Sequence, residues 1–372
     1  MAMEKTYSIK QFPPRAELQT VAVLRKLTEA RSVLGEMKGR ATSLPNQAIL
    51  LDTLFLQEAL ASSEIENIVT TQDEVFRVDP IADIGSVEAK EVARYRDAMR
   101  LGYEKWKENR FISENMLIDM FHVLKQRDEG YRRIPGAVVR NMRTDETVYT
   151  PPQNGWEIEI YMRDLAGFIN DELPCDLDPL VKMALIHHQF ESIHPFSDGN
   201  GRIGRILNVL YLTHKGLLDA PILYLSRAIN RTKPDYYRLL QAVREKGAWE
   251  EWVIYILSAV DETARLTLRL ISGIRELMVR HKMRMRDELP RIYSQDLLNN
   301  LFRHPYTRIE YVANDLGIGR QTARKYLKQL AACHFVDEVK SGRNNYYVNK
   351  QLVNLLASVS AEEKTESERL NG

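Results

Sequence analysis

Residues 179–214 hold two apolar helical runs that a proline and a cluster of glycines keep from joining. In PLVKMALIHHQFESI, Leu180, Met183, Ile186, Phe190 and Ile193 recur at helical spacing. Asp178 is placed to cap this helix, with Pro179 at its first position. Pro195 blocks a simple continuation, and RIGRILNVLYLTHKG opens a second helix near Gly201. Any fold must therefore pack these two helices across one short connection, HPFSDGNGRIGR, residues 194–205. A base, a carboxylate, three glycines and two guanidiniums are confined there.

Gly199, Asn200 and Gly201 form a side-chain-poor turn at a helix N-terminus, where free N–H groups and the macrodipole favour an anion. Arg202 lies in the first helical turn and Arg205 follows three residues later, on a neighbouring face. Two guanidiniums beside such a turn suit a polyphosphate better than a single carboxylate. Asp198 is placed to hold the Mg2+ that accompanies nucleotide phosphates. His194 titrates near neutrality and can take a proton from a hydroxyl, while Phe196 anchors the loop. GNGRIG, residues 199–204, also fits the dinucleotide pattern G-x-G-x-x-G, but that fingerprint needs a preceding strand and a helix precedes it here. His187 and His188 do not form a zinc-binding H-E-x-x-H pattern and are expected as satisfied helix histidines.

The 372 residues carry a formal net charge of +1, so the whole-chain balance argues for neither nucleic acid nor a membrane surface. Cys175 and Cys333 lie far apart in no metal-type spacing, and a reducing compartment is expected. MAMEKTYSIKQFPPRAE carries charge where a signal peptide needs an apolar core, and no apolar run reaches bilayer length. The expected location is the cytoplasm. Four regions are read along the chain. Residues 1–110 are helical, with an apolar-periodic stretch from Pro45 to Ile68. Residues 111–285 are also helical but interrupted by AVVRNMRTDETVYTPP. Residues 287–352 change to short helices followed by alternating residues, and 358–372 form a polar tail.

The 194–205 stretch matches the Fic family motif H-P-F-x-x-G-N-G-R-x-x-R at every specified position. The resemblance implies transfer of AMP from ATP to a Ser, Thr or Tyr hydroxyl of a target protein, or of the enzyme itself, with pyrophosphate leaving. It implies His194 as general base and Asp198 as the Mg2+ ligand. Gly199, Asn200, Gly201, Arg202, Ile203 and Gly204 would belong to the phosphate-binding segment, with Arg205 as the cation for the terminal phosphate. AVVRNM and TDETVYTPP resemble the family's flap, a hairpin with its turn near Thr144–Asp145 that would present a target through Thr147, Val148, Tyr149 and Thr150. KPDYYRLL resembles the tyrosine pair beside the adenine, here Tyr236 and Tyr237. SSEIEN resembles the inhibitory motif [S/T]-x-x-x-E-[G/N] at Ser62, Glu66 and Asn67, which implies an N-terminal inhibitory helix that delivers Glu66 to Arg205.

TRIEYVANDLGIGRQTARKYLKQLAACHFVDEVKSGRNNYYVN resembles a winged helix-turn-helix, with turns at Gly317–Gly319 and Ser341–Gly342. Between Arg291 and Lys350 ten Lys and Arg stand against five Asp and Glu. Arg320, Gln321, Arg324, Lys325 and Lys328 fall on its second helix and Arg343 in the wing, as candidate DNA contacts. A homodimer or another protein contact through this module is the alternative. The expected fold class is mostly α: a Fic-type helical domain with a β-hairpin flap, a helical N-terminal region and a C-terminal winged helix. Two other activities suit the same residues. One is removal of AMP from modified proteins, with Glu66 orienting a water. The other is nucleotide sensing by a DNA-binding regulator.

Overall fold

The computed structural model describes residues 9–76, 78, 85–140, 146–173, 175–341 and 344–357. The helices are, in order, α1 Val21–Ala41, α2 Ala48–Ile65, α3 Gln72–Phe76, α4 Val87–Asn109 and α5 Glu114–Lys125. The strands β1 Val139–Arg140 and β2 Thr147–Tyr149 follow. Then come α6 Gly155–Ile169, α7 Pro179–Ile193, α8 Asn200–His214, α9 Ser226–Arg231, α10 Lys233–Lys246 and the long α11 Trp249–Glu288. The C-terminal elements are α12 Gln295–Arg303, β3 Tyr306–Thr307, α13 Ile309–Leu316, α14 Arg320–Ala332, β4 Asp337–Ser341 and β5 Asn344–Val348. The backbone divides into two compact units, one of residues 1–35 and 55–264, the other of 36–54 and 265–372.

The first unit is organised around α7 and α8. Every residue of α7 from Leu180 to Ile193 is buried, and α8 is buried at Asn200 and from Arg202 to Thr213. A helix apolar or satisfied all round belongs inside a core. Asp178 caps α7 by accepting from the Leu180 N–H at 2.8 Å, with Pro179 in the first turn, as the sequence predicts. Ser86 and Ser113 cap α4 and α5 in the same manner. Helices α4, α5 and α8 meet at Gly102, where an added Cβ would stand 2.6 Å from Met120 Sδ and 2.9 Å from Leu210 Cδ1. A larger residue there would force the ends of those two side chains to shift.

The strands of the hairpin expected from AVVRNM and TDETVYTPP pair antiparallel. Val139 pairs with Tyr149 and Arg140 with Thr147, with a register shift between Val139 and Arg140. The expected turn at Thr144–Asp145 lies outside the described residues. In the second unit, Gly317 ends α13 in the left-handed conformation (φ 64°) before α14 begins. The antiparallel sheet there has the order β3-β5-β4, with Tyr306 and Asp337 both opposite Val348. Buried Asn300 ties α12 to α13 and β3: it donates to Asp315 at 2.8 Å and accepts from the Thr307 hydroxyl at 2.8 Å. This is a winged helix-turn-helix arrangement. Arg343 and Gly342 lie outside the described residues.

Candidate active site

His194 closes α7 in the left-handed conformation, with φ 51° and its N–H on the Phe190 carbonyl. Such backbone is uncommon for a residue with a Cβ. Arg132 secures the bend: its Nε donates to the His194 carbonyl at 2.7 Å and its backbone N–H to the Pro195 carbonyl at 2.8 Å. Phe196 stacks on Phe121 with ring centroids 4.5 Å apart. Asn200 then clamps the loop, accepting from the Phe196 N–H at 2.8 Å and donating to the Phe196 carbonyl at 2.9 Å. Gly199 takes φ 74° immediately before α8. The Asn200 side chain is thus spent on loop geometry, and it is backbone N–H groups that remain for an anion. Ile203 is fully buried, and a Cβ at Gly204 would fall 2.7 Å from Glu191 Oε1. Both are packing positions of α8.

Burial, reinforced by the Arg132 and Arg244 charges, pushes His194 down to about 4. Its imidazole is therefore neutral at physiological pH, the form a general base requires. The flap is fastened to the same corner. The Tyr149 hydroxyl donates to the Ser192 carbonyl at 3.0 Å, and Arg244 lies 4.0 Å over the Tyr149 ring while donating to Ser192 Oγ at 3.1 Å.

Arg205 is one of the largest fully buried side chains. Its Nε donates to Ser62 Oγ at 2.8 Å, and its Nη2 donates to the Ser62 carbonyl at 3.0 Å and Glu66 Oε1 at 2.8 Å. The local cause is the way α2 ends. The Glu66 N–H turns back to Ser63, and the Ile68 N–H also reaches the Ser63 carbonyl. Asn67 adopts φ 61°. That is a left-handed helix cap, for which asparagine and glycine are the favoured residues. The last turn thereby offers a carbonyl and a carboxylate to one guanidinium. Burial alone would lower the Arg205 pKa, but Glu66 and the Tyr236 and Tyr95 phenols raise it.

Asp198 accepts from the Gly199 N–H at 2.6 Å and pairs with Lys125 Nζ at 2.6 Å. Burial would raise its pKa, yet Lys125, Arg202 and that N–H together hold the carboxylate below its usual range. Arg202 is buried and turned to Glu91 at 2.5 Å, and Glu91 also pairs with Lys125 at 3.0 Å. Lys125, Glu91 and Arg132 were not found by sequence reasoning. Among the described residues no group of three or more His, Cys, Asp or Glu forms a metal cage. A single carboxylate beside a glycine turn at a helix N-terminus is compatible with Mg2+, which takes one or two protein carboxylates and completes its shell with phosphate and water.

The two tyrosines part company. Tyr236 is buried, with its hydroxyl 2.9 Å from His187 Nε2 and its ring packed among His187, Trp252 and Tyr255. Tyr237 is 42% exposed and alone of the pair presents a ring outward. His188 lies 3.2 Å from the Leu240 carbonyl, and burial keeps His187 and His188 far below the usual imidazole range. Both are core histidines, as expected. Glu191 was overlooked: its carboxyl is buried beside Arg205 and Glu66, and burial lifts it to about 7 against the pull of Arg205.

Three family models match consecutive parts of the chain: Fic/DOC family N-terminal at 24–104, Fic/DOC family at 111–212, and Protein adenylyltransferase SoFic-like, C-terminal domain, at 277–352. A probable protein adenylyltransferase of Aquifex aeolicus is 29% identical over 172 residues, covering 45% of this chain and 51% of that protein. A protein adenylyltransferase of Caenorhabditis briggsae is 27% identical over 158 residues, 40% of this chain and 29% of that protein. The chain therefore spans about half or less of these relatives. Among solved structures, a Fic family protein from Desulfovibrio desulfuricans G20 matches with a TM-score of 0.55 at 22% identity, covering 93% of this chain and 98% of that one. A Fic-1 fragment from C. elegans matches with a TM-score of 0.51 at 17% identity, over 66% of this chain and 71% of that one. These structural likenesses speak to the fold. Among the described residues no helix is long and apolar enough to cross a membrane. From motif, fold and family models together, the chain belongs to the Fic/DOC family.

Proposed function

We propose that the protein is an autoinhibited adenylyltransferase, moving AMP from ATP to a hydroxyl of a target protein or of itself. The observation that carries this reading is the 194–205 loop. It holds a neutral imidazole at one end and a buried guanidinium at the other, with a glycine turn at a helix N-terminus between them. ATP would lie with its phosphates on the Gly199–Arg202 backbone and its terminal phosphate on Arg205. Asp198 would hold Mg2+, which neutralises phosphate charge when bound; Lys125 would give up its contact there. His194 would take the proton of the incoming hydroxyl as that oxygen attacks the α-phosphorus in line with departing pyrophosphate. Catalysis of this type is mostly positioning and charge stabilisation.

Glu66 would oppose this by occupying Arg205, and no new contact would be needed to release it beyond a phosphate that competes for the same donors. The test uses ATP labelled on its α- or its γ-phosphate. Protein should take up only the α-label, and His194→Ala should lower uptake by a factor of about 10² to 10⁴ while ATP still binds. Uptake of γ-label, or normal α-labelling by a folded His194→Ala protein, contradicts the reading.

A separate reading concerns α14, which carries Arg320, Arg324, Lys325 and Lys328 and no Asp or Glu. Arg320 pairs with Glu310, whereas no ion pair engages Arg324, Lys325 or Lys328 among the described residues. We propose that this exposed basic face meets the phosphate backbone of duplex DNA.

A further inference from the structure

Glu58, on α2 and eight residues before Glu66, is a carboxyl with no exposed surface. A buried carboxyl is costly unless hydrogen bonds satisfy it. Glu58 meets that condition with groups from two other segments: it accepts from the Ser226 N–H at 3.1 Å, from the Ser226 hydroxyl, and from the Tyr95 hydroxyl at 3.2 Å. Tyr95 belongs to α4 and Ser226 opens α9. Neither group touches the 194–205 loop through these bonds, and the mechanism above uses none of them.

Residues 58, 62 and 66 recur every four positions, so they form one stripe along the helix. Each bonds outside α2: Glu58 to Ser226 and Tyr95, Ser62 to Arg205, and Glu66 to Arg205. Glu66 itself lies one residue past the end of the helix, held by a single turn bond to Ser63 and by the left-handed cap at Asn67. Its position is therefore inherited from the rotation and height of α2. One residue of slippage moves a helix by about 1.5 Å along its axis and about 100° around it. A 2.8 Å contact to Arg205 does not survive that displacement.

We infer that Glu58 is a positioning residue for inhibition: its bonds to Ser226 and Tyr95 fix the register of α2 so that Glu66 reaches Arg205. This rests on the reading of Glu66 as inhibitor and extends it to a second carboxyl, one whose bonds go to α4 and α9. Glu58 bears on Arg205 electrostatically as well, but the covalent path to Glu66 through two helical turns is the stronger lever. Burial raises the Glu58 pKa, while Ser226 and the Arg205 charge oppose that rise. The three donors ask for an acceptor, and an amide of the same shape cannot serve all of them.

The experiment compares the full chain with Glu58→Gln, Glu66→Gly and the double variant, reading α-label transfer from ATP and amide exchange at residues 60–68. Glu58→Gln is expected to raise transfer about tenfold, the scale of one lost charge-assisted bond. In the Glu66→Gly background it should add nothing, because its effect passes through Glu66. Exchange at 60–68 should quicken in Glu58→Gln. Tyr95→Phe removes one donor without touching the carboxyl and should give a smaller rise, which keeps the test open if Glu58→Gln folds poorly.

If Glu66→Gly activates but neither Glu58→Gln nor Tyr95→Phe does, the inference is overturned. It is equally overturned if Glu58→Gln lowers the rate of the double variant below that of Glu66→Gly, as a merely structural role requires. If Glu66→Gly itself fails to activate, the inhibitory reading falls. The exchange measurement then still decides whether Glu58 holds the end of α2, unchanged exchange overturning that.

Discussion

Replacing Glu66 by glycine removes the Glu66–Arg205 contact of 2.8 Å, in which the guanidinium is 1% and the carboxylate 33% exposed. A hydrogen bond between charged groups contributes about 1.5–3 kcal/mol. Solvent access to Glu66 screens the pair, so the lower part of that range, about 1.5–2 kcal/mol, applies. That is the cost of breaking the carboxylate contact before a phosphate can take Arg205. Its loss corresponds to a rate increase of roughly 10- to 30-fold, at about 1.4 kcal/mol per decade. Transfer is followed with α-labelled ATP at a concentration below saturation. A second readout is thermal. Arg205 keeps its bonds to Ser62 Oγ and the Ser62 carbonyl, so the variant should lose only about 1–2 kcal/mol of stability. ATP should then raise its Tm more than that of the parent, because ligand binding to the native state stabilises it. A folded Glu66→Gly protein with unchanged or slower transfer, and no larger response to ATP, refutes the reasoning.

Three further outcomes are expected. With His194 held down at about 4, kcat/KM of Glu66→Gly should show no imidazole-type acid limb near pH 6.5 and should fall only as pH approaches about 4; a midpoint near 6.5 in the rate profile contradicts the assigned base. Glu191, raised to about 7 by burial, has a folded pKa above its unfolded value. Its contribution is therefore full below the unfolded pKa and lost as pH rises through about 7, at about 1.4 kcal/mol per pH unit; Glu191→Gln should stabilise the protein more above pH 7 than near pH 4, judged by denaturant midpoints, and an equal effect at both refutes it. Duplex DNA binding by the full chain, read by fluorescence anisotropy, should weaken steeply with salt and be lost when Arg324 and Lys328 are changed to Glu; a salt-independent affinity unaffected by both changes rules out the α14 face.

The helices flanking the loop were legible because their signals are local. Asp178, Pro179 and the spacing from Leu180 to Ile193 predict α7, and Pro195 marks its end. The Asn67 position was legible only as a letter in a pattern; its physical reason, a left-handed cap, required the backbone. Residues that act across the fold left no local trace. Arg132 meets His194 from 62 positions away and Glu91 meets Arg202 from 111, and no spacing rule connects such pairs. Adjacent helical residues point about 100° apart. Aromatic character alone could not reveal that Tyr236 enters the core while Tyr237 does not. No letter pattern marks Glu58 and Glu191 as buried carboxyls, because their burial comes from packing against distant segments.

Adenylyl transfer through His194 is decided by the intact mass of Glu66→Gly incubated with ATP and Mg2+, alongside the Glu66→Gly/His194→Ala double variant. A species heavier by one adenylyl group, mapped to a Ser, Thr or Tyr hydroxyl, is expected in the first protein and none in the second. An active-site-independent adduct, or no adduct on Glu66→Gly or on any protein of a cell lysate supplied with it, contradicts adenylyl transfer by this site.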